Sequence, residues 1–234
     1  MFPVAILAGG LATRLRPITE TIPKALVDVA GKPFIVRQLS YLREQGISRV
    51  VLCIGYLGGM VREVVGSGEN FGLKVSYSED GPNLLGTGGA LAKAISILGD
   101  DFFVLYGDSF LPVNFSAVQE AYEKSKRPAL MTILKNQNQW DKSNVLFVDG
   151  RLLEYNKREP RAEMSYIDYG IGVVSSSVLR QRYVGQPLDL ADVYQDLSLR
   201  GQLAGLEVNE RFYEIGSHTG LKETEEYFLT RDKV

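Results

Sequence analysis

The chain predicts an α/β fold in which a mostly parallel sheet is flanked by helices on both faces, with antiparallel strands added in the second half. Three observations predict it. Apolar strand-like runs alternate with helix-like periods up to Tyr106, the pattern of a parallel sheet with crossover helices. Beyond Asp108 short β-prone runs follow one another with few helices between them. One Asp-Gly pair, Asp149-Gly150, sits between two such runs and is a strong two-residue hairpin signal.

The first strand spans residues 4–8, and a helix is expected over 33–45. A strand at 49–54, a helix at 57–65, a strand at 74–78, a helix at 89–98 and a strand at 102–106 complete the alternation. A helix over 115–124 precedes β-prone runs at 129–134, 145–148, 152–155 and 166–174. Further helices are expected near 176–182, 191–200 and 220–229. There is no internal repeat, so we read one domain over 1–234, with a first half at 1–110 and a second half at 111–234.

With 234 residues and 45% hydrophobic content the chain can bury a substantial core. Its net charge is −2 with both signs interspersed, which argues against nucleic acid as a partner. The single cysteine, Cys53, lies within an apolar run and reads as a buried small hydrophobe. No stretch approaches the ~20 apolar residues of a membrane span, so a cytoplasmic protein without a membrane partner is expected. One histidine, His218, leaves little material for histidine-dependent nucleophilic catalysis.

The most informative stretch follows the first strand: Leu7-Ala8-Gly9-Gly10-Leu11-Ala12-Thr13-Arg14-Leu15-Arg16-Pro17, then Pro23-Lys24. Open α/β sheets bind ligands at this carboxyl edge. Adjacent glycines let the backbone approach a ligand and direct N–H groups at phosphate oxygens. Arg14 can grip phosphates with two N–H groups, and Lys24 adds a point charge. A lone Gly-Gly would read as an ordinary turn; the whole arrangement G-G-x₃-R-L-x-P-x₅-P-K-x-L offers a polyphosphate site. The strand Val104-Leu105-Tyr106 ends in Gly107-Asp108, and a carboxylate there suits Mg²⁺ held jointly with phosphate.

At these residues the chain resembles the sugar-1-phosphate nucleotidyltransferases, closest in look to heptose-1-phosphate guanylyltransferases and N-acetylmuramate-1-phosphate uridylyltransferases. The resemblance implies a Rossmann-like mixed sheet of the nucleotide-diphospho-sugar transferase type. It also implies that loop 7–14 binds the triphosphate, that Arg14 promotes pyrophosphate loss and that Lys24 contacts phosphate. Leu85-Gly86-Thr87-Gly88-Gly89 is similar to the family's base-binding loop, although Thr87 also reads as a helix N-cap. An acidic or amide residue precedes that loop in relatives, a place for Glu79 or Asp80; we assign Glu79. Asp108 becomes the principal Mg²⁺ ligand. Glu214, in Tyr213-Glu214-Ile215-Gly216-Ser217, takes the second ligand position, where relatives carry the shorter Asp.

On the acceptor side the resemblance places Glu154 and Lys157 against the sugar phosphate and Asn144 and Asp168 near the sugar. The implied partners are an NTP, GTP or UTP favoured, and a heptose, hexose or amino-sugar 1-phosphate, in biosynthesis of nucleotide-activated sugars for a bacterial surface. A homodimer is among the possible assemblies. Two other readings compete: a cytidylyltransferase for a non-sugar phosphate such as phosphocholine, and a non-catalytic nucleotide-sugar sensor.

Overall fold

A computed structural model describes residues 1–10, 13–81, 83–183 and 185–232. The first half contains β1 (Val4–Leu7), β2 (Asp28–Val29), β3 (Lys32–Pro33), α1 (Phe34–Glu44), β4 (Arg49–Ile54), α2 (Gly58–Val65), β5 (Lys74–Glu79), α3 (Gly86–Leu98) and β6 (Asp101–Tyr106). Then come β7 (Ser109–Phe110), α4 (Phe115–Ser125), β8 (Ala129–Lys135), β9 (Val145–Val148), β10 (Arg151–Tyr155) and β11 (Tyr166–Ser175). The chain closes with α5 (Ser176–Arg180), α6 (Leu190–Leu199), β12 (Leu203–Val208), β13 (Tyr213–Glu214) and α7 (His218–Arg231).

Nine strands form one sheet in the order β10-β9-β11-β6-β1-β4-β5, with β8 joined to β11 and β12 joined to β8. Strands β5, β4, β1 and β6 are parallel; β11 enters antiparallel beside β6. Strands β1, β4 and β6 are apolar at nearly every position because helices cover both of their faces, whereas the edge strand β5 is largely polar. Val4 and Ile6 face a core shared with Leu39 of α1, Val61 of α2 and Val118 of α4. Ala5 faces the opposite core, with Leu91 of α3 and Val193 and Tyr194 of α6.

The expected hairpin is present: Asp149 and Gly150 both take positive φ, and β9 pairs antiparallel with β10. Three further features were not expected from the sequence: β12, the β2–β3 ribbon and the β7–β13 pair. In β12, Gly205 interrupts the β-prone pattern, yet a Cβ there would stand 2.9 Å from the Phe147 ring. The two-residue strands are too short for any period. They wrap a third small core of Val27, Val29, Phe34, Phe110, Ile215 and Phe228, which fastens α7 beneath the end of β6. No helix among the described residues is long and apolar enough to cross a membrane.

Candidate active site

A cavity of about 270 Å³ opens at the carboxyl ends of β1, β4 and β6, lined by Leu7, Ala8, Gly9, Gly10, Cys53, Asp80 and others. Its position follows from topology: β1 lies between β4 and β6, and the loops after these strands turn outward around one crevice. Gly9 makes the close approach possible, since a Cβ there would meet the Gly55 backbone nitrogen at 3.1 Å. Burial pushes the Cys53 thiol up to about 12, so it contributes wall and no nucleophile.

Charged groups gather at one end of the cavity. Lys24 Nζ donates to Asp108 Oδ2 at 2.8 Å, both side chains being largely buried. Ile215 N–H donates to Asp108 O at 2.9 Å, and Glu214 pairs in register with Ser109 across β7–β13. That short ribbon brings the two carboxylates together from residues more than a hundred positions apart in sequence. Glu214 is bent back onto the start of α7: its Oε2 accepts from Gly216 N–H and its Oε1 from Ser217 Oγ at 2.6 Å. Gly220 makes this possible, because a Cβ there would lie 1.9 Å from Glu214 Oε1. The extra methylene relative to Asp is absorbed by seating the carboxylate on the positive end of a helix.

Gly216 marks the centre of the cluster. A Cβ on it would lie 2.5 Å from Glu214 Oε2, 3.1 Å from Arg14 Nη2 and 3.4 Å from Asp108 Oδ2. The exposed Arg14, carried on the turn Thr13–Leu15, therefore stands near both carboxylates. Thr13 is exposed beside it, and Leu11 and Ala12 lie outside the described residues. Among the described residues no cluster of three or more carboxylate, histidine or cysteine ligands forms. A cation here would have two hard carboxylates from protein and would need its remaining oxygens from phosphate or water, a donor set that fits Mg²⁺.

The opposite end of the cavity separates the two candidates Glu79 and Asp80. Strand β5 alternates its side chains, so Glu79 and Asp80 point to opposite sides. Glu79 is exposed and ion-paired with Arg62, whereas Asp80 lines the cavity. Burial raises the Asp80 carboxyl, against opposing effects of the Leu85 N–H and Lys93.

The glycine loop 86–89 is largely committed to the fold. Gly88 N–H and Gly89 N–H both donate to Leu188 O, at 2.8 and 3.1 Å. Gly86 takes φ +73, and a Cβ there would lie 2.5 Å from that same oxygen. Thr87 Oγ1 donates to Asp189 Oδ1 at 2.9 Å and accepts from Leu190 N–H at 2.8 Å, joining the starts of α3 and α6. Gly86 and Thr87 still line the cavity, and Gly88 does not.

The acceptor-side residues form a second group. Asp168 N–H donates to Asn144 Oδ1, and Gly170 N–H donates to Asp168 Oδ1, each at 3.0 Å. Burial pushes the Asp168 carboxyl up to about 6, while the Gly170 N–H and the Lys157 charge pull the other way. Tyr106, which the sequence reading overlooked, lines the cavity, and Asp168 and Tyr155 both raise its hydroxyl, after burial itself. Lys157 is exposed. Glu154 is ion-paired with Arg161 at 2.5 Å, which ties its carboxylate to the protein surface.

The fold class is shared with solved structures: a Bacillus anthracis protein described as a glucose-1-phosphate thymidylyltransferase superposes with a TM-score of 0.87 at 23% identity, covering 97% of this chain and 95% of that one. In sequence, the model of the nucleotidyl transferase family matches residues 4–143, and the chain belongs to that family. Glucose-1-phosphate thymidylyltransferase of Streptomyces antibioticus is 37% identical over 167 residues, 69% of this chain and 47% of that protein. D-glycero-alpha-D-manno-heptose 1-phosphate guanylyltransferase of Campylobacter jejuni is 28% identical over 213 residues, 90% of this chain and 93% of that one. The chain thus spans about half the length of the thymidylyltransferase and nearly all of the guanylyltransferase.

Proposed function

We propose that this chain transfers a nucleotidyl group from a nucleoside triphosphate to a sugar 1-phosphate and releases pyrophosphate. The observation that carries the reading is the gathering of Arg14 and Glu214 beside Lys24 and Asp108, the pair that lines the glycine-walled cavity. Similarity to a thymidylyltransferase and a guanylyltransferase acting on sugar 1-phosphates supports it.

In this reading the acceptor phosphate attacks the α-phosphorus in line while the bond to pyrophosphate breaks. The attacking oxygen is already anionic, so the chain supplies no strong base. Its residues position and neutralise. Lys24 leaves Asp108 to meet the phosphates, and Arg14 follows the charge that builds on the departing pyrophosphate. Asp108 and Glu214 would hold Mg²⁺, which supplies charge neutralisation on the phosphate oxygens when bound. Asp168, backed by Asn144, accepts hydrogen bonds from sugar hydroxyls.

At the base end Asp80 is an acceptor-only group when ionised. Guanine offers adjacent N1–H and N2–H donors to such a carboxylate, whereas uracil pairs its one N–H with flanking carbonyls. GTP is therefore our preferred donor over UTP. A cytoplasmic location, where such triphosphates are present, belongs to the same proposal.

The test is pyrophosphate release by purified protein with Mg²⁺, scanning four ribonucleotides and dTTP against hexose, amino-sugar and heptose 1-phosphates and phosphocholine. GTP-dependent release with one sugar 1-phosphate is expected. Release only with CTP and phosphocholine would replace the sugar reading, and nucleotide binding without turnover on any acceptor would favour a sensor.

A further inference from the structure

Gln38, on α1, lies outside the cavity and is almost fully buried. Its Nε2 donates two hydrogen bonds, to Tyr106 O at 3.0 Å and to Ser109 O at 2.8 Å. Those carbonyls flank Gly107-Asp108. Two further backbone groups of the turn are held as well: Gly107 N–H donates to Leu7 O and Asp108 O accepts from Ile215 N–H, each at 2.9 Å. Gln38 is thus the only side chain among these restraints, and it spans the turn that carries Asp108.

Its own carbonyl oxygen, Oε1, is buried without a hydrogen-bond partner. Beside it is a cavity of only about 10 Å³, otherwise walled largely by Leu42, Leu105, Phe110, Leu111 and Phe115. Packing alone would favour an apolar side chain in such a place, because a buried polar atom without a partner is unfavourable. The reversed amide would set Oε1 against two carbonyl oxygens, so the network fixes the orientation. The amide is retained for its two donors.

We propose that Gln38 is a positioning residue for nucleotidyl transfer, fixing the Gly107–Asp108 turn so that the Asp108 carboxylate stays aligned with Glu214, Lys24 and Arg14. It acts through backbone carbonyls and touches no substrate. The inference rests on the proposed function for its kinetic consequence; its structural consequence is separate, since a loosened Asp108 binds a divalent cation more weakly whatever the reaction.

The experiment uses the full chain with Gln38→Leu and the more flexible Gln38→Met, which keeps unbranched length without a donor. Three quantities are compared with the parent: Mn²⁺ affinity by electron paramagnetic resonance, thermal midpoint, and kcat with KM for nucleotide. Removing an outer partner of a metal ligand typically costs 10–100-fold in affinity or activity. We expect a fall of about that size in Mn²⁺ affinity and kcat, with nucleotide KM nearly unchanged and the thermal midpoint near that of the parent. If Gln38→Leu does not fold, the same comparison is read from Gln38→Met. Parent-like Mn²⁺ affinity in a folded variant would overturn the inference, as would loss only in proportion to lost stability. A parent that binds Mn²⁺ but turns over no acceptor would refute the proposed function while the Mn²⁺ comparison still decides the role of Gln38.

Discussion

The two ends of the site are built in opposite ways. On the donor side Asp108 is already ion-paired with Lys24, and Glu214 accepts an N–H and an O–H from its own loop. On the acceptor side the Asp168 carboxylate accepts one backbone N–H, from Gly170, while its own N–H donates to Asn144; no cation is in hydrogen-bonding contact, and burial raises its carboxyl to about 6. The donor end therefore gives one carboxylate a cation and the other two hydrogen-bond donors, partners that offset the desolvation of a charge. The acceptor end holds an acid without an ion pair, a group that suits polar hydroxyls better than another anion.

Removing a preformed charge should do the greatest damage. Asp108→Asn and Arg14→Ala are each expected to lower kcat on the order of 10²–10³-fold, measured as pyrophosphate release at saturating substrates. Near-parental kcat in either would break the donor half of the comparison. Gly216→Ala forces a methyl against Glu214 and Arg14 and should lower kcat by roughly 10²-fold, the scale of a 1 Å misplacement. Its thermal midpoint should move little by comparison.

A smaller effect separates two neighbouring acids. Asp80→Asn removes an ionised acceptor and is expected to reduce kcat/KM for GTP by about 10–100-fold, the scale of a hydrogen bond to a charged group. Glu79→Gln, at an exposed ion pair, should stay within about twofold of the parent. Equal losses in both would mean that β5 does not present Asp80 alone to the base.

The last effect concerns stability at the acceptor end. The Asp168 carboxyl lies above its ordinary 3.8 in the folded chain, at about 6. The folded state thus binds this proton more tightly than the unfolded one. The associated stabilisation is full below about pH 4 and lost as pH rises through about 6. Asp168→Asn removes the ionisation and can still accept from Gly170 N–H. Relative to the parent the variant should gain stability as pH rises from 4 to 7, at most on the order of 3 kcal/mol. Parallel melting profiles across that range would show that Asp168 is better solvated than its burial implies.

The same contrast explains what could be read in advance. Leu7 to Lys24 carries the donor loop within one contiguous segment, so its chemistry is visible as spacing. Asp108 is visible because an apolar strand must end where its polar residue begins. The acceptor group draws on Asn144, Glu154, Lys157 and Asp168, spread over β9, β10, β11 and their loops, and nothing local distinguishes Glu154, which is ion-paired, from Asp168, which is not. Gln38 gave no local signal at all, since its two partners are backbone carbonyls some seventy residues away.

By itself the sequence determined the order and kind of the main elements, the Asp149-Gly150 hairpin and the residue types of the phosphate end, because hydrophobic period and turn chemistry are local properties. Tertiary structure alone decided that Asp80 rather than Glu79 lines the cavity and that the glycines after Leu85 are engaged with Leu188. It also decided that Glu214 reaches Asp108 through a two-residue ribbon. These outcomes depend on which backbone atoms meet across the sheet edge, and long-range pairing of that kind leaves no period in the chain.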